Sequence, residues 1–343
     1  MTALIRLGED FKQFTMLYLD AKGHFLDPVG TEGEGPRPVS EEELPRFLNR
    51  NIILPDHVTD VFVWVHGWQN DELRANETAC RLFANLDEWF RREHQRYPRL
   101  GVIVPAFVAV HWPSSSTPGL LGYKMIRNRA KQMTTQGDAA FFLASLLGYL
   151  DTDNKREFDT NRKVLVARDG FYIHCLAHSF GGRFLTAAIK AASSAPGMRR
   201  VLAAHRDTGY PFNVDSLCVL QMAAGNSAFG TEFSSLLAGP ICGPIILTHS
   251  RWDSALCNWH SVSEGESGIG CGGATAPADR IGSTILHTVD SPYSNADFAN
   301  DITNVDASAY FKTGGWLEGA HSDFWHSETL HLITSVVEQV RRP

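Results

Sequence analysis

Short, wholly apolar runs alternate along the chain with stretches whose apolar residues recur every three to four positions. Residues 61–65 (Val-Phe-Val-Trp-Val) are apolar without a break and stop at His66-Gly67. A strand buried on both faces reads this way, because neither face meets water. Further on, Leu82, Phe83, Leu86, Trp89 and Phe90 fall at i, i+1, i+4, i+7 and i+8, the stripe of an amphipathic helix. The same alternation predicts strands over 14–19, 102–110, 171–176, 216–222, 244–249 and 283–289, and helices over 138–150, 182–193 and 328–341. Pro105 marks the start of its strand or a bulge, since it has no N–H to give to a ladder. Residues 27–45, rich in Pro, Gly and Glu, read as a loop.

Such an order predicts an α/β fold with a mostly parallel central sheet and helices on both faces. No repeat or linker divides the chain, so 1–343 reads as one domain, with N-terminal strands and a loop over 1–57. Two stretches lack periodicity, 263–278 and 290–320. Loops of that length in a compact domain are usually functional, and 290–320, ahead of the last helix, is expected to form a loop or lid over the site.

Composition narrows the function classes. With 43% hydrophobic and 20% charged residues the chain is globular, and a net charge of -7 excludes a general nucleic-acid binder. No apolar run approaches the roughly 20 residues of a transmembrane helix. The acid-bearing start has no apolar leader core, so a cytoplasmic location, or export by a route that needs no such signal, is expected. The six cysteines contain no C-x-x-C pair and are expected to be small buried hydrophobes or free thiols. Cys257, His260 and Cys271 lack a second tight ligand pair, and the glycines of 268–273 neither follow a strand nor open a helix. Neither a metal nor an organic cofactor is therefore expected. Residues 122–132 hold four basic residues and no acid, which reads as a solvated helix face or a patch for anionic groups.

Four segments carry candidate chemistry. Ala177-His178-Ser179-Phe180-Gly181 joins an apolar strand to a helix. A serine on so sharp a turn projects its hydroxyl above the sheet, and the residues two positions away must be small because strand and helix nearly touch. His66-Gly67-Trp68 ends an earlier strand, where the N–H groups of Trp68 and Phe180 are placed to hold negative charge on an attacked carbonyl oxygen, and Gly67 lets the backbone approach it. Asp253 follows the strand over 244–249, with Asp290 as its competitor. His321 precedes the last helix, with His326 and His287 as alternatives among fourteen histidines. His178, beside the serine, is expected to line the site. The aromatic residues of 310–325 suit an acyl pocket or core packing alike.

Taken together, Val-Trp-Val-His-Gly-Trp, Ala-His-Ser-Phe-Gly-Gly, Ser-Arg-Trp-Asp-Ser-Ala-Leu and Gly-Ala-His-Ser-Asp-Phe resemble the α/β-hydrolase superfamily over residues 58–341. They are most similar to its serine hydrolases with an A-H-S-x-G elbow; Ala177 departs from the usual glycine but stays small. The resemblance implies Ser179 as nucleophile, His321 as base and Asp253 as orienting acid. It implies a serine esterase or lipase-like enzyme acting on a small ester or lipid, with no cofactor. An amidase or thioesterase of the same fold, or a silent fold that binds a small molecule or protein, is the alternative.

Overall fold

The computed structural model describes residues 3–7, 12–28, 35–152, 156–159, 164–167, 171–194, 212–314 and 319–341. In chain order the strands are β1 (Ala3–Leu7), β2 (Lys12–Tyr18), β3 (Leu26–Asp27), β4 (Arg37–Pro38), β5 (Asp60–Val65), β6 (Pro105–His111), β7 (Arg156–Asp159), β8 (Val164–Ala167), β9 (Tyr172–His178), β10 (Ser216–Leu220), β11 (Ile245–His249), β12 (Ile281–Ile285) and β13 (Ile302–Asp306). The helices are α1 (Leu44–Asn51), α2 (Glu72–Glu93), α3 (Leu120–Thr135), α4 (Ala139–Thr152), α5 (Phe180–Ser194), α6 (His260–Glu264), α7 (Ile269–Gly272) and α8 (Ser327–Val340). Nine strands form one sheet in the order β1-β2-β6-β5-β9-β10-β11-β13-β12, in which β1 is antiparallel to β2 and the other eight strands run parallel. β3 with β4 and β7 with β8 make two small hairpins.

The unbroken apolar strands have the cause expected of them. Val61, Val63 and Val65 of β5 join a core packed under α1, α3, α4 and α5. Phe62 and Trp64, pointing the other way, join a second core under α2 and α8. Since successive side chains alternate faces, a strand covered on both sides must be apolar at every position. All eight parallel strands point their carboxyl ends the same way, and the loops at that edge carry the site.

Most predicted elements are found within a few residues of their expected bounds, and Pro105 opens its strand. The strand expected over 283–289 sits at Ile281–Ile285. Residues 290–320 include a strand not expected from the sequence, β13, which lies between β11 and β12 in the sheet. Its polar residues hid it: Thr303 Oγ1 donates to Asp297 O (3.2 Å), and Asn304 exchanges hydrogen bonds with Ala274 N and O (2.9 and 2.8 Å). Those bonds let polar side chains be buried in a strand at little cost. The basic segment lies on α3, where Arg127 and Arg129 donate to the carbonyls of Ser263, Pro113 and Ser115.

The cysteines are corrected. Cys257 and Cys271 form a disulfide, and Cys80, Cys175 and Cys218 are free thiols. His260 turns away from that pair and receives the Tyr123 hydroxyl at its Nδ1 (2.5 Å). Among the described residues no helix is long and apolar enough to cross a membrane.

Candidate active site

Ser179 stands between β9 and α5 with φ 55°, a left-handed conformation rarely adopted by a residue with a side chain. The turn is tight because α5 starts against the end of β5. A Cβ on Gly181 would fall inside the carbonyl oxygens of Val65 and His66, so only glycine fits there. Ala177 is fully buried at the matching position on the strand.

From this turn a line of hydrogen bonds runs through three loops. His321 Nε2 lies 2.6 Å from Ser179 Oγ, and His321 Nδ1 lies 2.7 Å from Asp253 Oδ2. With Nδ1–H donating to the carboxylate, Nε2 is left to accept the serine proton. Asp253 is fully buried, and its Oδ1 accepts the Leu256 N–H (3.0 Å). The competing residues lie elsewhere. Asp290 is exposed and pairs with Arg96 (2.9 Å). His326 pairs with Asp323 (3.2 Å), and His287 stacks on Tyr293.

The loop after β5 is held from several sides. Gly67 O receives hydrogen bonds from Asn70 Nδ2 (3.1 Å) and His66 Nδ1 (2.9 Å); Trp68 O receives one from the same Asn70 nitrogen (3.0 Å). Because the peptide is planar and trans, pinning Gly67 O also aims the Trp68 N–H, in the opposite direction. A Cβ on Gly67 would stand 2.8 Å from His178 Nδ1 and 3.0 Å from Ser179 Cβ, so glycine is what brings this loop onto the elbow. Behind the loop, His66 Nε2 accepts from His111 Nδ1 (2.8 Å). Burial above all, with the neighbouring His111 adding to it, pushes His66 down to about 3; burial takes His111 to about 4. Both rings therefore stay neutral at ordinary pH.

His178 faces the cavity and also serves the fold. Its Nε2–H donates to His321 O (2.7 Å), and its ring packs on those of His321 and Phe324. Burial first, and His321 second, lower it to about 3. It is thus a neutral anchor for the His321 loop.

These groups open into a cavity of about 450 Å³. Trp68, Tyr123, Phe180, Phe324 and Trp325 give it apolar walls, and α2 adds Arg74, Glu77, Thr78 and Arg81. The Arg81 guanidinium lies 4.1 Å above the Trp325 ring. Of the aromatic 310–325 segment, only Phe324 and Trp325 reach the cavity; Tyr310 and Phe311 pack near His326, and Trp316 lies outside the described residues. None of the described residues of 290–320 lines it.

Two further residues carry no sequence signature. Asn70 holds the loop after β5, as described. Gln221, at the end of β10, donates through Nε2 to Asp253 Oδ2 (2.8 Å) and to Ala320 O (2.9 Å). A serine, histidine and aspartate also meet at the opposite edge of the sheet. Ser216 Oγ and Asp60 Oδ1 flank His174 at 2.8 and 3.1 Å, all three buried. There the aspartate faces Arg341 rather than a cavity. Burial alone would raise the Asp60 carboxyl, but the His174 hydrogen bond and the Arg341 charge outweigh it and hold it below the usual range. That cluster is a structural ion pair.

No protein-family profile matches the chain, and no curated protein matches it. Among solved structures, phospholipase PlaB from Legionella pneumophila is similar at 15% identity and TM-score 0.22, over 51% of this chain and 27% of that one. The same phospholipase in complex with thio-NAD is similar at 16% identity and TM-score 0.23, over 54% and 30%. The match thus spans less than a third of those chains.

Proposed function

We propose that the chain is a serine hydrolase of carboxylic esters. The observation that carries this reading is the unbroken hydrogen-bond line from Asp253 through His321 to Ser179, ending at a left-handed serine that opens into a cavity. In the proposed reaction His321 Nε2 takes the Ser179 proton as Oγ bonds to the ester carbonyl carbon. The carbonyl oxygen becomes an oxyanion that the N–H groups of Trp68 and Phe180 are assigned to hold, since fixed donors stabilise charge as it develops without reorganising. Collapse breaks the bond to the alcohol, which leaves with the proton from His321. Water then gives a proton to His321 as its oxygen bonds to the acyl carbon, and His321 returns that proton to Ser179 Oγ as the bond to the acid breaks. Asp253 stays ionised, holds the imidazole in the tautomer that accepts at Nε2, and stabilises the imidazolium between the steps.

Trp68, Phe324 and Trp325 are suited to an acyl chain, His178 lines the cavity beside Ser179, and Gly67 is assigned the role of letting the loop after β5 approach the substrate. The test is turnover of p-nitrophenyl esters of graded acyl length. Ser179→Ala should lower kcat by about 10⁴-fold or more. Wild-type-level turnover in that variant overturns the proposal.

A further inference from the structure

We propose that Gln221 is a positioning residue that locks Asp253 and the His321 loop into one arrangement; this deepens the serine-hydrolase reading and rests on it. Its side-chain amide meets two acceptors, Asp253 Oδ2 at 2.8 Å and Ala320 O at 2.9 Å. Both partners only accept, so the NH2 end must face them, one N–H to each. Ala320 is the residue before His321. One amide therefore ties the acid to the chain that delivers the base.

The rest of Gln221 is built around that contact. Its backbone N–H is held by β11, at Thr248 O (3.2 Å) and Thr248 Oγ1 (3.1 Å). Its φ is 49°, in the left-handed region that favours glycine. Its Oε1 is buried with no hydrogen-bond partner among the described residues. A left-handed backbone and an orphaned carbonyl oxygen are both unfavourable. A residue kept for packing would gain by being glycine or an apolar side chain, whereas the two N–H donors explain why an amide stands here. Asp253 Oδ2 then receives two hydrogen bonds, from His321 and from Gln221, which fix the carboxylate plane and share its charge.

Removing the Gln221 donor concentrates that charge on His321. The imidazolium is then favoured, and the acid limb of the pH–rate profile moves to higher pH. The other groups facing the pair are Ser179 and His178 from the β9–α5 turn and Tyr123 from α3, with Arg74, Glu77 and Arg81 across the cavity on α2. Burial holds His178 neutral down to about 3 and keeps the Tyr123 hydroxyl protonated, so neither changes charge on that limb.

The experiment compares Gln221→Met and Gln221→Gly in the full chain. Both lose the donors. The first keeps the bulk and the unfavourable backbone; the second relieves the backbone. Hydrolysis of p-nitrophenyl butyrate is followed from pH 5 to 9, and rates are divided by the number of sites labelled with a fluorophosphonate, which counts only competent serines. Both variants should lose about ten- to a hundredfold in kcat, as outer-shell partners do, with KM little changed. In both, the acid limb should rise by about half a pH unit or more. Equal loss with an unmoved limb, loss in the methionine variant alone, or no loss in either overturns the positioning role. A wild type that hydrolyses ester normally while these variants match it removes only this proposal. A wild type that neither takes the label nor turns over ester removes the serine-hydrolase reading and this one with it.

Discussion

Acidification from pH 7 to pH 5 should destabilise this protein through its buried histidines before its carboxylates are involved. His66 and His178 are pushed down to about 3, His111 and His260 to about 4, in each case chiefly by burial. An exposed histidine in the unfolded chain titrates near ~6.5. Between those values the unfolded state binds protons that the folded state refuses, so stability falls as pH falls, beginning near pH ~6.5. At pH 5 each such histidine favours the unfolded chain by about 2 kcal/mol. Four of them acting independently would remove about 8 kcal/mol, comparable with the whole stability of a typical domain at 5–15 kcal/mol. That sum is an upper bound, because His66 and His111 share a hydrogen bond and respond as a pair. The carboxylates of Asp60, Asp306 and Asp323 are held below their usual range and contribute only at lower pH. The window from about pH 6.5 to 5 therefore belongs to the histidines. Urea titrations at pH 7.5, 6.5 and 5.5 should show the midpoint falling steeply over the last step with an unchanged slope. Stability that stays flat from pH 7 to 5 would refute the reasoning.

Three substitutions probe other parts of the account. Asp253→Asn should leave the fold intact and lower kcat by about 10⁴-fold, because the amide favours the wrong histidine tautomer; rates and circular dichroism check both halves. Gly181→Ala puts a methyl group against the Val65 and His66 carbonyls, so the loop bearing Trp68 must move, and kcat should fall far more than KM changes. Asp60→Asn leaves the Arg341 guanidinium without its counter-ion and should cost about 3 kcal/mol or more of unfolding free energy in urea, while hydrolysis at low temperature is unchanged.

The layer architecture was legible because every strand of the sheet's middle is buried on both faces and so advertises itself as an apolar run. Ser179 could be singled out because a sharp strand-to-helix turn demands small neighbours, and Ala177 and Gly181 supply them. Asp253 and His321 followed from their places after a strand and before the last helix, and the fold brings both to Ser179. What stayed hidden was polar and buried. β13 reads Ile-Thr-Asn-Val-Asp; its backbone pairs with β11 and β12, and the side-chain hydrogen bonds of Thr303 and Asn304 let polar residues be buried in it. The disulfide joins cysteines 14 residues apart in no recognisable pair motif. Gln221 and Asn70 act through one amide each, and no spacing rule distinguishes such residues from any surface amide. Asp290, the other acid considered, lies away from His321 for a reason sequence does not carry: it faces Arg96 at the surface.

The central claim is that Ser179 Oγ becomes acylated. The most direct measurement is mass spectrometry of protein acid-quenched during turnover of a slowly deacylating p-nitrophenyl ester. The account predicts one acyl group per chain, on the peptide that holds Ser179, and none in Ser179→Ala. Turnover of the ester with no acyl group on that peptide, or with the acyl group on another residue, would contradict it.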